Sequence, residues 1–146
     1  MDEILHAGLI AHYDRGVWRG VLIQGPSGVG KSDLALRALS AGFHLVADDR
    51  TLLWVSGGCL FGACPPPIVG LIEARGLGIL PQPSRAFTRV DLIIRCRRVD
   101  ETLERLPEFA SQAILGVTLP ALDLHPLESS SPVKLIQALS LLGEAR

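Results

Sequence analysis

The sequence predicts a single α/β domain with a mixed sheet. Three observations carry that prediction. The chain has 146 residues, the length of one domain. Its apolar residues fall either in short unbroken runs, as in buried strands, or at helical spacing. Residues 20–49 spell strand, glycine-rich loop, helix and strand, the order of a βαβ unit, and end in two carboxylates.

The elements follow in order. Residues 7–11 read as a first strand, and Asp14 to Gly16 supplies the turn to a second, Gly20 to Gln24, which is apolar throughout. Lys31 to Ala41 reads as a helix with Leu34, Ala35, Ala38 and Leu39 on one face, stopped by Gly42. Phe43 to Ala47 is a strand that runs into Asp48-Asp49. Thr51 to Val55 and Cys59 to Gly62 form a hairpin around Ser56-Gly57-Gly58. Ile68 to Ala74 and Val90 to Arg95 are further strands, and 96–112 reads as irregular because Pro107 excludes a long helix. Ile114 to Leu124 is strand-like but interrupted by Pro120. Ser131-Pro132 reads as an N-cap followed by a first-turn proline, opening a helix with Val133, Ile136, Leu139 and Leu142 toward the core.

Composition narrows the classes. The chain is 48% apolar and 20% charged with net charge −1, so no strong field favours nucleic acid or an anionic membrane. Arginines at 85, 89, 95, 97 and 98 read as a solvated region compensated by Asp100 and Glu101, with no aromatic interleaving for base stacking. Three cysteines, Cys59, Cys64 and Cys96, do not make a disulfide framework, and a zinc site needs a second ligand pair that is missing. Trp18 and Trp54 read as partly buried packing residues, and His12, His44 and His125 have no metal spacing. An acidic start, Met1-Asp2-Glu3, and apolar runs too short to span a bilayer lead to the expectation of a cytoplasmic protein.

The chemistry concentrates in one motif. Gly25-Pro26-Ser27-Gly28-Val29-Gly30-Lys31-Ser32 fits G-x-x-x-x-G-K-[ST] in full. Glycines let several backbone N–H groups point at one anion, and the following helix offers its positive end to the same charge. Lys31 is expected at the β- and γ-phosphates and Ser32 on Mg²⁺, so the expected cofactors are ATP and Mg²⁺. Asp48 and Asp49 end a strand on the ligand side of an α/β sheet. Adjacent residues of a strand face opposite ways, so one carboxylate faces the phosphate while the other supports loop or metal. Glu73 lies just before the glycine turn Arg75-Gly76-Leu77-Gly78.

Three segments in this order and spacing resemble the catalytic domain of HPr kinase/phosphorylase, which modifies a serine of the phosphocarrier protein HPr. They are Gly20 to Leu36 through the phosphate loop, Leu45 to Asp49, and Ile72 to Ile79; Ile114 to Val117 and Pro120 extend the resemblance, from about His6 to about Pro126. The resemblance implies the HPr kinase/phosphoenolpyruvate carboxykinase-type P-loop fold over residues 1–146, in a short form without the family's N-terminal domain. It implies roles for single residues: His6 near the transferred phosphate, Asp48 as proton acceptor from the serine, Asp49 and Glu73 with Ser32 at magnesium, and Arg105 on phosphate. It also implies the reverse reaction, phosphorolysis by inorganic phosphate, and a homo-oligomer, hexameric in the family. The tail 127–134 has no Pro-Gly-Arg-Asn segment of the kind the family uses to engage HPr and neighbouring subunits, and Ala74 replaces a larger apolar residue. The rival readings are a small-molecule kinase and an ATP-binding sensor without chemistry.

Overall fold

The computed structural model describes residues 2–143; residues 1 and 144–146 of the expected domain lie outside the described residues. In chain order the elements are β1 (Glu3–Leu5), β2 (Gly8–Asp14), β3 (Val17–Gln24), α1 (Lys31–Ser40), β4 (His44–Ala47), β5 (Thr51–Ser56), β6 (Cys59–Ala63), β7 (Leu71–Ala74), β8 (Gly78–Pro81), β9 (Phe87–Cys96), β10 (Ala110–Ile114), β11 (Val117–Leu124) and α2 (Ser131–Gly143). Nine strands form one mixed sheet in the order β1-β5-β6-β9-β3-β2-β4, with β10 and β11 joined to it through β9.

Strand β9 explains the shape. Its first residues, Phe87 to Arg89, pair antiparallel with β6, Phe87 opposite Ala63 and Arg89 opposite Phe61. Its later residues pair parallel with β11 on that same side, while β3 runs parallel along the other. One long strand therefore serves two partners on one edge, and the sheet curls there. Pro120 marks a similar handover in β11: the pairing to β10 spans Val117 to Ala121, and the pairing to β9 begins only at Ala121. A residue without an N–H is tolerated where a strand changes partner.

The unbroken apolar runs reflect burial on both faces. Ile10, Val21, Ile23, Leu92 and Ile94 meet Leu34 and Ala38 of α1 and Leu135 and Leu139 of α2. Their neighbours Leu9, Leu22 and Ile93 point the other way, into the curl, against Leu53, Leu60 and Leu119. Two buried charges serve this frame. Asp91 accepts a hydrogen bond from the Gly20 N–H (3.1 Å), beside the irregularity where β3 slips against β9. Arg19 donates to the Leu139 carbonyl (3.1 Å) in α2.

Several expectations need correction. Residues 68–74 are not one strand: a 3₁₀ turn occupies Pro66–Ile68, and β7 pairs with β8 in a hairpin of its own. Ile114 to Leu124 is a hairpin turning at Leu115-Gly116, and β10 takes the end of the segment expected to be irregular. Val133 is 55% exposed; Leu135 and Ala138 take the core positions with Leu139. Ser131 does not cap α2. Its hydroxyl donates back to the His125 carbonyl (2.6 Å), and the first helical bond runs from Lys134 N–H to Ser130. Arg95 and Arg97 pair with Asp123 and Arg89 with Asp91, not with the acids at 100 and 101. Arg85 lies over the Trp18 ring at 3.7 Å.

Candidate functional site

The phosphate loop leaves β3 at the carboxyl ends of three parallel neighbours, β3, β9 and β11, where α/β sheets hold ligands. Two of its glycines, Gly25 and Gly30, are tightly seated. A Cβ on Gly25 would stand 2.9 Å from the Cys96 Cβ and 3.0 Å from its carbonyl oxygen. Gly30, with φ 114°, opens α1, and a Cβ there would meet Leu127 at 2.7 Å. The Lys31 ammonium donates to the carbonyls of Gly25 (2.7 Å) and Pro26 (3.0 Å), so its charge stays within the loop.

The loop is tied to the acidic end of β4. The Ser32 hydroxyl donates to Asp48 Oδ1 (2.8 Å), and the Glu73 N–H donates to Oδ2 (3.0 Å). Both Asp48 oxygens thus have partners, and the residue is 7% exposed. Burial pushes its carboxyl above the ordinary range against those two hydrogen bonds, and the charges of Asp49 and Glu73 push the same way. Asp49 is placed differently. The Arg50 N–H bonds back to the Asp48 carbonyl (2.8 Å), a three-residue turn with Asp49 at its centre and φ at 71°. Turns of this hand are strained, and side chains held so often cluster at functional sites. The turn puts Asp49 in the wall of a cleft of about 550 Å³, with Ser27, Lys31, Ser32, Glu73 and Arg75.

The motif residues and Glu73 therefore come together as the sequence suggests. Of the acidic pair, it is Asp49 that faces the cleft and Asp48 that is engaged with Ser32. His6 is exposed at the junction of β1 and β2, between Leu5, paired to Thr51, and Ala7, whose carbonyl accepts the Thr51 hydroxyl (2.8 Å). It so lies beside the 48–51 turn. Arg105 is exposed in the 97–109 connection and is absent from the cleft wall.

Two thiols near the site are held toward the neutral form. Burial pushes Cys96, beneath the loop, up to about 12, with the Lys31 charge opposing. Cys64 is raised by burial and then by the Asp48 charge. Among the described residues no three His, Cys, Asp or Glu side chains converge as a self-sufficient metal cage. The cleft instead offers oxygen donors, Ser32, Asp49 and Glu73, around a phosphate loop. That donor set fits Mg²⁺, which takes few protein ligands and fills its octahedron with phosphate oxygens and water.

Arg37 and Leu127 were not legible as site residues. Arg37 pairs with Asp33 one turn earlier (2.8 Å), the only sign visible in sequence. It also donates to the Glu128 carbonyl (3.1 Å) and the Pro126 carbonyl, holding residues 126–128 against the loop. Leu127 follows from that clamp and borders the cleft.

The family model for the HPr Serine kinase C-terminal domain matches residues 2–141. The chain belongs to that family. An HPr kinase/phosphorylase of Bordetella petrii is 35% identical over 130 residues, covering 82% of this chain and 42% of the relative. One of Ralstonia pickettii is 41% identical over 97 residues, 60% of this chain and 30% of the relative. The chain thus spans less than half the length of the curated relatives it matches. The solved HPr(Ser) kinase/phosphatase of Coxiella burnetii superposes with a TM-score of 0.82 at 26% identity, covering 98% of this chain and 93% of that one. The chain accordingly shares the curled mixed sheet of a solved relative. No helix among its described residues is long and apolar enough to cross a membrane.

Proposed function

We propose that the domain transfers the γ-phosphoryl group of ATP to a serine of HPr, in the cytoplasm, and runs the reaction backward by phosphorolysis with inorganic phosphate. The observation that carries this reading is the Ser32–Asp48 hydrogen bond, which locks the phosphate loop to β4 while Asp49 faces the same cleft. Ser32 and Glu73 would hold Mg²⁺ beside the phosphates, and the ion would supply charge neutralisation. Lys31 leaves the loop carbonyls for the β- and γ-phosphates, and the backbone N–H groups hold the triphosphate in line.

In the forward direction the serine oxygen forms a bond to the γ-phosphorus as the bond to the bridging oxygen of ADP breaks. The serine proton passes to a carboxylate. Asp49 suits that task better than Asp48, because it reaches the cleft and Asp48 is spent on Ser32 and Glu73. In reverse the same group returns the proton to the serine oxygen while phosphate takes the phosphoryl group, giving pyrophosphate. His6, at the β1–β2 junction beside the 48–51 turn, and Arg105, in the 97–109 connection, are both outside the cleft wall, and each reaches phosphate only if its segment moves. A protein acceptor fits the surroundings: the cleft is open, and the β7–β8 hairpin beside it exposes Leu77 (75%) and Ile79 (63%). Assembly into a homo-oligomer belongs to the same reading, with no nucleic acid or membrane partner.

Calorimetry tests the first step. Lys31→Ala is expected to weaken Mg-ATP binding at least tenfold while the circular dichroism spectrum is kept. Unchanged affinity would remove the phosphate loop from the account.

A further inference from the structure

On the far side of the phosphate loop from the acidic cleft lies a second pocket of about 290 Å³. Its lining is mostly apolar. Val29 of the loop, Val99, Pro126 and Leu127 line it, together with Arg97, Arg98, His125 and Glu128. Gly28 and Leu127 belong to both spaces, so the pocket opens onto the phosphate cradle.

The pocket is a constructed feature. Its walls are the segments that follow β9 and β11, the two parallel strands next to β3. They are bonded to one another: Arg97 N–H to the Leu124 carbonyl (2.8 Å), and His125 Nε2 to the Glu101 carbonyl (2.8 Å). A carbonyl only accepts, so Nε2 carries the proton. Arg37 of α1 fixes the second wall from behind through the Pro126 and Glu128 carbonyls. A small apolar pocket with cations at its rim suits a flat heteroaromatic ring, which gains from burial and from stacking under a guanidinium. The size admits one bicyclic base and not a whole nucleotide.

We infer that this pocket seats the purine base of the nucleoside triphosphate, with Val29, Val99 and Leu127 against the ring and Arg97 or Arg98 stacked on it. The inference rests on the reading of Gly25 to Ser32 as the triphosphate cradle. It locates the base over β9 and β11 and directs the phosphates toward Asp49. Recognition is then by ring contact at one end and by charge at the other.

Two measurements on the full chain test it. An ATP photoprobe with an azide on the adenine ring, activated and mapped by mass spectrometry, is expected to label residues 97–99 or 125–128. Labelling confined to other segments would overturn the assignment. In calorimetry with Mg²⁺, the variant Val99→Ser, which touches the second pocket and not the acidic cleft, is expected to bind ATP about fivefold more weakly. Its affinity for inorganic tripolyphosphate should stay within about twofold of the original chain. Val99 is 85% exposed, so the fold tolerates the change. Equal losses for both ligands, or none for either, would contradict a base in this pocket. If the original chain binds neither ATP nor tripolyphosphate, the phosphate-loop reading falls and the base pocket with it. Tripolyphosphate binding without a base effect removes only the pocket.

Discussion

At the scale of the residue, two adjacent aspartates face different surroundings because the backbone treats them differently. Asp48 is drawn inward by a hydroxyl and a backbone N–H, and Asp49 is turned outward by a strained three-residue turn. Losing a proton acceptor typically costs a phosphoryl or acyl transfer on the order of 10² to 10⁴ in rate. Asp49→Asn is therefore expected to lower turnover by about that factor with Mg-ATP affinity nearly kept, as read by steady-state kinetics and calorimetry. Asp49→Gly should be inactive and more stable by about 1 kcal/mol in urea unfolding, since glycine accepts φ near 71° without strain. A less stable glycine variant would show that the turn stores no strain.

Asp123 offers a pH test. Burial alone would raise its carboxyl, but hydrogen bonds from Arg95 (2.7 Å) and Arg97 (3.1 Å) outweigh it and hold the group below the ordinary range. A depressed folded pKa means that the folded state binds the proton less readily than the unfolded chain. The stability from this group is then full above the unfolded value of about 4 and fades as pH falls through the folded one. Asp123→Asn should destabilise by about 1 kcal/mol at pH 7, with the deficit closing under acid conditions. Thermal melts of both chains across pH 3 to 7, read as about that span around the carboxylate range, check it. A deficit independent of pH would mean the carboxylate charge is not what matters.

At the scale of the element, the phosphate loop depends on β9 as much as on its own sequence. Cys96 occupies the space that a side chain at 25 would need. Gly25→Ala should cost roughly 2 kcal/mol of stability and most of the Mg-ATP affinity, because the added Cβ meets the Cys96 Cβ and carbonyl oxygen, which cannot swing away. Near-normal melting and binding would contradict the tight seating of the loop on β9. The loop, α1 and β4 were legible from spacing because local signals agreed: a buried run, a complete motif, a helical face and an acidic end. The β7–β8 hairpin was not, since Arg75-Gly76-Leu77-Gly78 marked a turn without an alternating run after it. Val133 looked inward by helical spacing, yet the position of α2 on β3 and β9 is set by Leu135, Ala138 and Leu139. Which aspartate faces the cleft depends on a positive φ that no residue type at 49 announces. Arg37 and Asp123 find their partners about 90 and 28 positions away, beyond the reach of any local pattern.

At the scale of the whole molecule, the curled sheet gathers the ends of β3, β4, β9 and β11 around one loop. Phosphate loop, acidic turn and apolar pocket then lie on one side of the domain, with the exposed β7–β8 hairpin beside them. The central claim is phosphoryl transfer to a serine of HPr. Its most direct test mixes the purified chain with Mg²⁺, ATP and an HPr from the same source and follows the intact mass of HPr. The account predicts a gain of one phosphoryl group, mapped to serine, absent with Lys31→Ala and strongly slowed with Asp49→Asn. An unchanged HPr mass, from a chain shown to bind Mg-ATP, would contradict it.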